Sequence, residues 1–582
     1  MNSGKSRLGG VIFIAGFVLL IGAMSVVFYL IDRGKPSNET APYYEYYKDR
    51  SPERVYAVRG DKLMNLEQDP LVVGGELYFP FSFVKEHIDR NAFWDASAGR
   101  LIITTADEVS RFTPDSRAYT VNDAERRLAS PIIEKGVTAY LPAGLVETLY
   151  GVSASFAEEY KLAVVDFPED EKLVYTTPEG AALRFEPDIK SPIETALSAG
   201  QRLLGFGETD GFLRARTSEG LVGYVKAEET AFAEKIGRAA ESPDKRPSYV
   251  PTGKINMVWD LIASKAASGD ESRRAVLKNA DVVSPTWFSF DGERLTGEII
   301  SIADKGYVDW AKANGCAVWG LISDNFDGAV AHAVLADSDR RKYVVDQLIA
   351  LASELGLDGV NIDFEAVRAA DADYFIQFLR ELYPIARLNQ LVVSVDTYVP
   401  AAHNLYYSRD RISEACDFII IMGYDEYYAG SDTPGPVASI GFVEKGVADT
   451  LSEAPPEKVM LGVPYFTRIW KETEDAMGFV SLSSEAASSE ETRRRFEQNG
   501  AVFTWHDSLG LYYATYDALE DGRKVTYEVW IEDARSLGEK LKIARERDLA
   551  GIAGWCANWL RTDGEREFVS LAGDFMDAYA SE

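Results

Sequence analysis

From Ile255 onward the chain alternates short apolar runs with longer segments of helical patterning, and this alternation constrains its fold more than any other feature. Strand candidates begin near Ile255, Val282, Ala317, Gly359, Leu391, Phe418, Val459 and Gly551. The intervening segments carry a helical period. Val345, Leu348, Ile349, Ala352 and Leu355 fall at i, i+3, i+4, i+7 and i+10, one face of a helix. Such βα units across residues 253–580 predict an α/β fold, a (β/α)₈ TIM barrel. An insertion is expected at about 471–525, in the long gap before the last strand.

The full length of 582 residues exceeds what one core sustains, so further domains should precede the barrel. Residues 241–253 (ESPDKRPSYVPTG) read as a linker. Upstream, residues 173–232 show short alternating runs broken by Gly, Pro and Asp, the pattern of a small all-β barrel. Residues 55–170 hold a weak repeat. Tyr78-Phe79-Pro80, Phe83-Val84 and Arg100 to Thr105 find counterparts in Tyr140-Leu141-Pro142, Leu145-Val146 and Lys161 to Val165, so each unit should be strand, Pro-led helix, strand in a small α+β domain. Residues 32–54 read as a second linker.

Leu8 to Ile31 carries no charge over 24 residues. As a helix it would span about 36 Å, enough for a hydrocarbon core of about 30 Å. Lys5 and Arg7 precede it while Asp32 offsets Arg33 and Lys35, so the charge bias places the N-terminus inside and the bulk outside. A cleaved signal peptide is the alternative reading, with the catalytic part secreted.

With 92 acidic against 61 basic residues the net charge is −31, which repels phosphate backbones and excludes general nucleic-acid binding. Cys316, Cys416 and Cys556 are too scattered for a disulfide framework and read as buried thiols. The histidines offer no HxxxH or paired-cysteine spacing, so no metal and no cofactor are expected. A sugar-like partner suits such a surface.

The most informative stretch is Leu357 to Val367, LDGVNIDFEAV. In a strand Val360, Ile362 and Phe364 share one face and Asn361, Asp363 and Glu365 the other. The apolar set should meet the surrounding helices. The polar set should then face the barrel axis, with Glu365 nearest the C-terminal rim where barrel enzymes do their chemistry. A glycosidic bond breaks when its oxygen is protonated, which needs a carboxyl that stays protonated near neutral pH. Asp363, two residues back, is expected to raise Glu365 by like-charge repulsion.

DGVNIDFE resembles the DGxDxDxE signature on the fourth strand of glycoside hydrolase family 18, over most of residues 253–580. The resemblance implies Glu365 as general acid/base and Asp363 as the residue orienting a substrate acetamido group. It also implies substrate-assisted catalysis with retention, the acetamido oxygen attacking the anomeric carbon. Asn361 departs from the pattern, where Asp is common, and cannot titrate. Met422-Gly423-Tyr424-Asp425 resembles the family's MxYD motif, implying that Tyr424 holds the acetamido oxygen and Asp425 supports sugar contacts. Trp555 is similar to the tryptophan flooring the central subsite, though a core tryptophan is the equal alternative; Tyr465 and Trp470 in LGVPYFTRIW are weaker candidates.

These motifs, with PGPVASIGFVEKG at 434–446, look closest to the bacterial spore and cell-wall N-acetylglucosaminidase branch. The substrate so implied is peptidoglycan, with chitin second and a sugar-binding lectin as the non-enzymatic alternative. Residues 71–105 resemble the N-terminal domain of copper amine oxidases, with no copper implied, and 173–232 resembles a bacterial Src-homology-3-like domain. That domain would serve either as a cell-wall contact or as a spacer.

Overall fold

The computed structural model describes residues 5–136, 138–237, 247–270, 280–474, 477–560, 568–570 and 572–573. It divides into two compact units.

The first unit takes in residues 1–92, 112–119 and 126–243. The repeat is visible here as two strand-helix pairs, Glu76–Pro80 with Phe81–His87 and Thr138–Pro142 with Ala143–Tyr150. Pro80 and Pro142 occupy the N-cap positions, where a proline costs no helical hydrogen bond. The two strands pair antiparallel, Tyr140 opposite Pro80 and Pro142 opposite Tyr78, so the copies meet through the same residues. Leu162–Asp166 follows the second helix and pairs parallel with Tyr56–Arg59. Residues from Lys172 to Ile236 form a seven-stranded antiparallel sheet.

Lys5–Gly34 is one helix, exposed along Gly16 to Tyr29. Among the described residues no helix is long and apolar enough to cross a membrane. The expected span of 8–31 rests partly on residues 8–15, 30 and 31, whose side chains lie outside that description. The first part of the expected linker before the barrel, 241–246, likewise lies outside it.

The second unit takes in 93–111, 120–125 and 244–582. Its centre is a closed parallel sheet of β1 (Ile255–Asp260), β2 (Val282–Phe290), β3 (Ala317–Ser323), β4 (Gly359–Asp363), β5 (Val392–Tyr398), β6 (Phe418–Met422), β7 (Val459–Pro464) and β8 (Gly551–Trp555). Neighbours pair in chain order and β1 pairs with both β2 and β8, which closes the barrel. Each strand begins at or beside its expected residue. Val360 and Ile362 are fully buried, and Phe364 lies against Phe375 and Phe378 of helix Ala372–Leu388, with centroids 5.8 and 5.6 Å away. Gly359 opens β4 where a Cβ would come within 2.6 Å of the Trp319 ring and 2.7 Å of the Val392 carbonyl, so only glycine fits.

The insertion is larger than expected, running from Thr467 to Ile531 as a five-stranded antiparallel sheet with helix Ser489–Gln498 on one face. Ile469, Phe496, Tyr516, Tyr527 and Val529 give it a core of its own.

The strand Arg100–Thr104, expected to close the first repeat copy, groups with the barrel instead. The reason is polar and specific. Arg380 Nε donates to Thr104 Oγ1 at 2.9 Å, and Arg111 Nη2 donates to Glu381 Oε2 at 2.8 Å. Glu381 Oε1 also accepts from Arg341 Nε at 3.0 Å, so this buried acid lies between two guanidiniums. Cys316, Cys416 and Cys556 are buried thiols that form no disulfide, as expected.

Candidate active site

The parallel strands end around a cavity of about 240 Å³ lined by Trp259, Phe326, Asp363, Glu365, Asp396, Tyr398, Met422, Tyr424, Asp425 and Trp555. The alternation on β4 turns Asn361 and Asp363 inward, and Glu365 follows two residues past the strand end, at the rim. Asp363 is 6% exposed and its Oδ1 has no hydrogen-bond partner among the described residues. A buried carboxylate without a donor is costly unless it holds a proton or meets a ligand.

Asn361 lies beneath the cavity and is fully buried. Its Oδ1 accepts from Trp259 Nε1 at 3.0 Å and Ser284 Oγ at 3.2 Å, while its Nδ2 donates to Ser394 Oγ at 3.0 Å and Asp396 Oδ1 at 2.9 Å. Asn361 thus reaches across to β5 rather than along its own strand.

Burial raises the Glu365 carboxyl above its ordinary range, opposed by a hydrogen bond from Tyr398 and reinforced by the charges of Asp324 and Asp425. The expected lever, Asp363 acting on Glu365, is not among these causes. Repulsion runs the other way: burial first, then Asp396, Glu365 and Asp324 hold Asp363 well above the carboxylate range. Asp324, at the end of β3, accepts from the Ala366 amide at 2.7 Å and so ties down the segment that carries Glu365.

Tyr424, 9% exposed, lies 6.4 Å from Trp259 edge-on and 6.4 Å from Trp555 in a stacked arrangement. Trp259 and Trp555 meet at 5.7 Å, so three aromatic rings wall one side of the cavity. Burial and the surrounding carboxylates push the Tyr424 hydroxyl well above its usual value, which keeps it a donor. Asp425 turns the chain with φ of 58°, a conformation aspartate tolerates. Its carboxylate lies 3.9 Å from Nη2 of Arg468, which the insertion supplies.

Tyr465 and Trp470 are not in the cavity. Tyr465 is 1% exposed, its ring packed 5.9 Å from Phe568 and against Gly554. Trp470 is fully buried and donates to the Gly435 carbonyl at 2.7 Å. β7 ends at Pro464, and the chain leaves there for the insertion sheet, which turns both rings into packing. Asp396 and Tyr398 were missed, although Ser394, Asp396 and Tyr398 alternate as the β4 residues do. Trp259, Asp324 and Phe326 were missed too, without a comparable signal. Among the described residues no cluster of His, Cys, Asp and Glu could hold a metal ion.

Residues 323–558 match the family model described as glycosyl hydrolases family 18, and residues 58–164 match the copper amine oxidase N-terminal domain. A Bacillus subtilis protein provisionally named sporulation-specific glycosylase YdhD is 31% identical over 239 residues, 40% of this chain and 55% of that protein. The Bacillus subtilis cortical fragment-lytic enzyme is 26% identical over 241 residues, 40% of this chain and 54% of that enzyme. The match thus spans about half the length of these curated relatives. A crystal structure of a C-terminal domain from Desulfitobacterium hafniense superposes with a TM-score of 0.50 at 22% identity, covering 56% of this chain and all of that domain, a likeness of fold. Over residues 323–558 the chain is therefore similar to family 18 glycosyl hydrolases, and over residues 58–164 to the copper amine oxidase N-terminal domain.

Proposed function

We propose that the barrel hydrolyses the β-1,4 bond next to an N-acetylglucosamine residue of a polysaccharide. Glu365 donates its proton to the departing glycosidic oxygen as the bond to the anomeric carbon breaks. The substrate's acetamido oxygen forms the new bond to that carbon, held by the Tyr424 hydroxyl on one side and by Asp363 at its N–H on the other. Water then attacks the same carbon, breaking its bond to the acetamido oxygen and giving a proton back to Glu365, so configuration is retained. Trp555 offers an aromatic face to the sugar ring and Asp425 its hydroxyl contacts. Met422 fills the wall beside them, and Asn361 braces the floor without touching sugar.

The observation that carries this reading is that one cavity holds Glu365, Asp363 and Tyr424 together. Its volume of about 240 Å³ lies below the roughly 300–1,000 Å³ of sites for drug-sized ligands, so it suits one unit of a polymer.

Peptidoglycan is the substrate we favour, on the likeness to a relative named for lysing cortical fragments. Incubating the full chain with purified peptidoglycan and weighing the released fragments should show new N-acetylglucosamine reducing ends. Ends on the other sugar would contradict the bond assignment. Faster cleavage of chitin oligomers would move the substrate to chitin, and binding without release would favour the lectin.

We place the catalytic part outside the cell, held by residues 8–31 as a single membrane span. The all-β region and the repeat domain would reach toward the wall. Membrane fractions should release the chain to detergent and not to salt; release by salt alone would contradict the span.

A further inference from the structure

A second buried acid faces the cavity, and the proposed reaction does not use it. Asp396 on β5 is 3% exposed. Asn361 pairs with Ser394 in the β4–β5 register, so two residues further on Asp363 and Asp396 stand side by side. Their surroundings differ. The Trp259 indole can only donate, so the Asn361 atom 3.0 Å from it is the amide oxygen, and the amide nitrogen must face Asp396, 2.9 Å away. Asp363 Oδ1 has no such donor among the described residues.

The other titratable and charged groups facing the pair are Asp324 beyond β3, Glu365 after β4, Tyr398 on β5, Tyr407 after it, and Tyr424 and Asp425 beyond β6. The cation at the rim, Arg468, sits beside Asp425. With no cation between them among the described residues, two adjacent buried carboxyls cannot both ionise, and the one with donors keeps the charge.

We propose that Asp396 is a positioning residue that shares one proton with Asp363, holding the charge itself and leaving the proton on Asp363. Asn361 sits where an acid would do this within the strand but cannot titrate, and instead orients the acid on the next strand. The Asp363 hydroxyl then points at Asp396, and its other oxygen is free to accept the acetamido N–H. Burial raises both carboxyls well above the ordinary range, while hydrogen bonds from Asn361 and Trp259 draw Asp396 back down.

The role in turnover rests on the hydrolase reading above; the shared proton does not, and two measurements keep them apart. The first is an infrared pH titration of buried protonated carboxyl groups in the full chain, comparing wild type, Asp363→Asn, Asp396→Asn and the double variant. At pH values between the pair's two ionisations, Asp363→Asn and the double variant should each lose the signal of one protonated carboxyl, while Asp396→Asn should keep it, on Asp363. Loss of that signal in Asp396→Asn, its retention in Asp363→Asn, or loss of two carboxyls in the double, would overturn the proposal. The second is the pH profile of kcat/KM. Asp396→Asn should lower kcat about tenfold with little change in KM. The first ionisation must then fall on the carboxyl without donors, so the acid limb should move to higher pH by about one unit. The swap Asn361→Asp with Asp396→Asn should recover part of both. A uniform fall with the same inflections and no recovery would mean a packing role only. A wild-type chain that cleaves no polymer would overturn the hydrolase reading, and the infrared result would still decide the shared proton.

Discussion

Within the barrel-containing unit, acidic groups are buried in two contrasting ways. Glu381, fully buried, accepts from Arg341, Arg111 and Gln377, so donors on several sides compensate its charge. Asp363 and Asp396 are buried as deeply, yet their charged neighbours are other acids. Taking a charge from water is affordable when cations and hydrogen bonds replace the water, as around Glu381. At the strand ends the charged neighbours are acids rather than cations, and of the two only Asp396 has a donor, Asn361, while Asp363 Oδ1 has none among the described residues. The contrast is between an acid whose charge is compensated and acids, proposed above to act on substrate, whose charge is not.

Breaking the compensated acid should have the largest effect on folding. Glu381→Ala would leave two guanidiniums facing a void, and chemical denaturation should show a loss of about 3–5 kcal/mol. A loss below about 1 kcal/mol would remove the contrast. Removing an uncompensated acid should do the opposite. Asp363 is raised above 3.8 in the fold, so its contribution to stability is complete below that pH and is lost as pH rises toward the raised value. Asp363→Asn should therefore raise stability at neutral pH by about 1–3 kcal/mol while lowering turnover, and should flatten the decline of stability above pH 4. A destabilised variant, or an unchanged slope, would place Asp363 with Glu381.

Much of this was legible in the sequence, for physical reasons. All eight strand starts showed because strands buried on both faces read as apolar runs. Glu365 and Asp363 stood out because acids alternating with Val360, Ile362 and Phe364 break such a run. Asp396 carries the same kind of signal in VVSVDTY but with one acid instead of two, which reads as an ordinary strand. Tyr465 and Trp470 were misplaced because nothing local says that β7 stops at Pro464 and feeds the insertion. The grouping of residues 93–111 with the barrel was invisible for the same reason: Arg111 and Glu381 are 270 residues apart, and neither segment announces the other.

Smaller effects sharpen the boundary of the site. Tyr424→Phe should cost about tenfold in kcat/KM with stability nearly unchanged, since one hydrogen bond to the substrate is lost. Tyr465→Phe should change neither turnover nor, beyond about 0.5 kcal/mol, stability, because its hydroxyl is buried with no partner among the described residues. A drop in activity there would return Tyr465 to the site.

The most direct test is turnover of Glu365→Gln in the full chain, measured as reducing ends released from purified peptidoglycan alongside a binding assay on the same polymer. kcat should fall by about 10² to 10⁴ with binding retained, because glutamine keeps the shape and loses the proton. Turnover near the wild-type level would mean that Glu365 is not the proton donor.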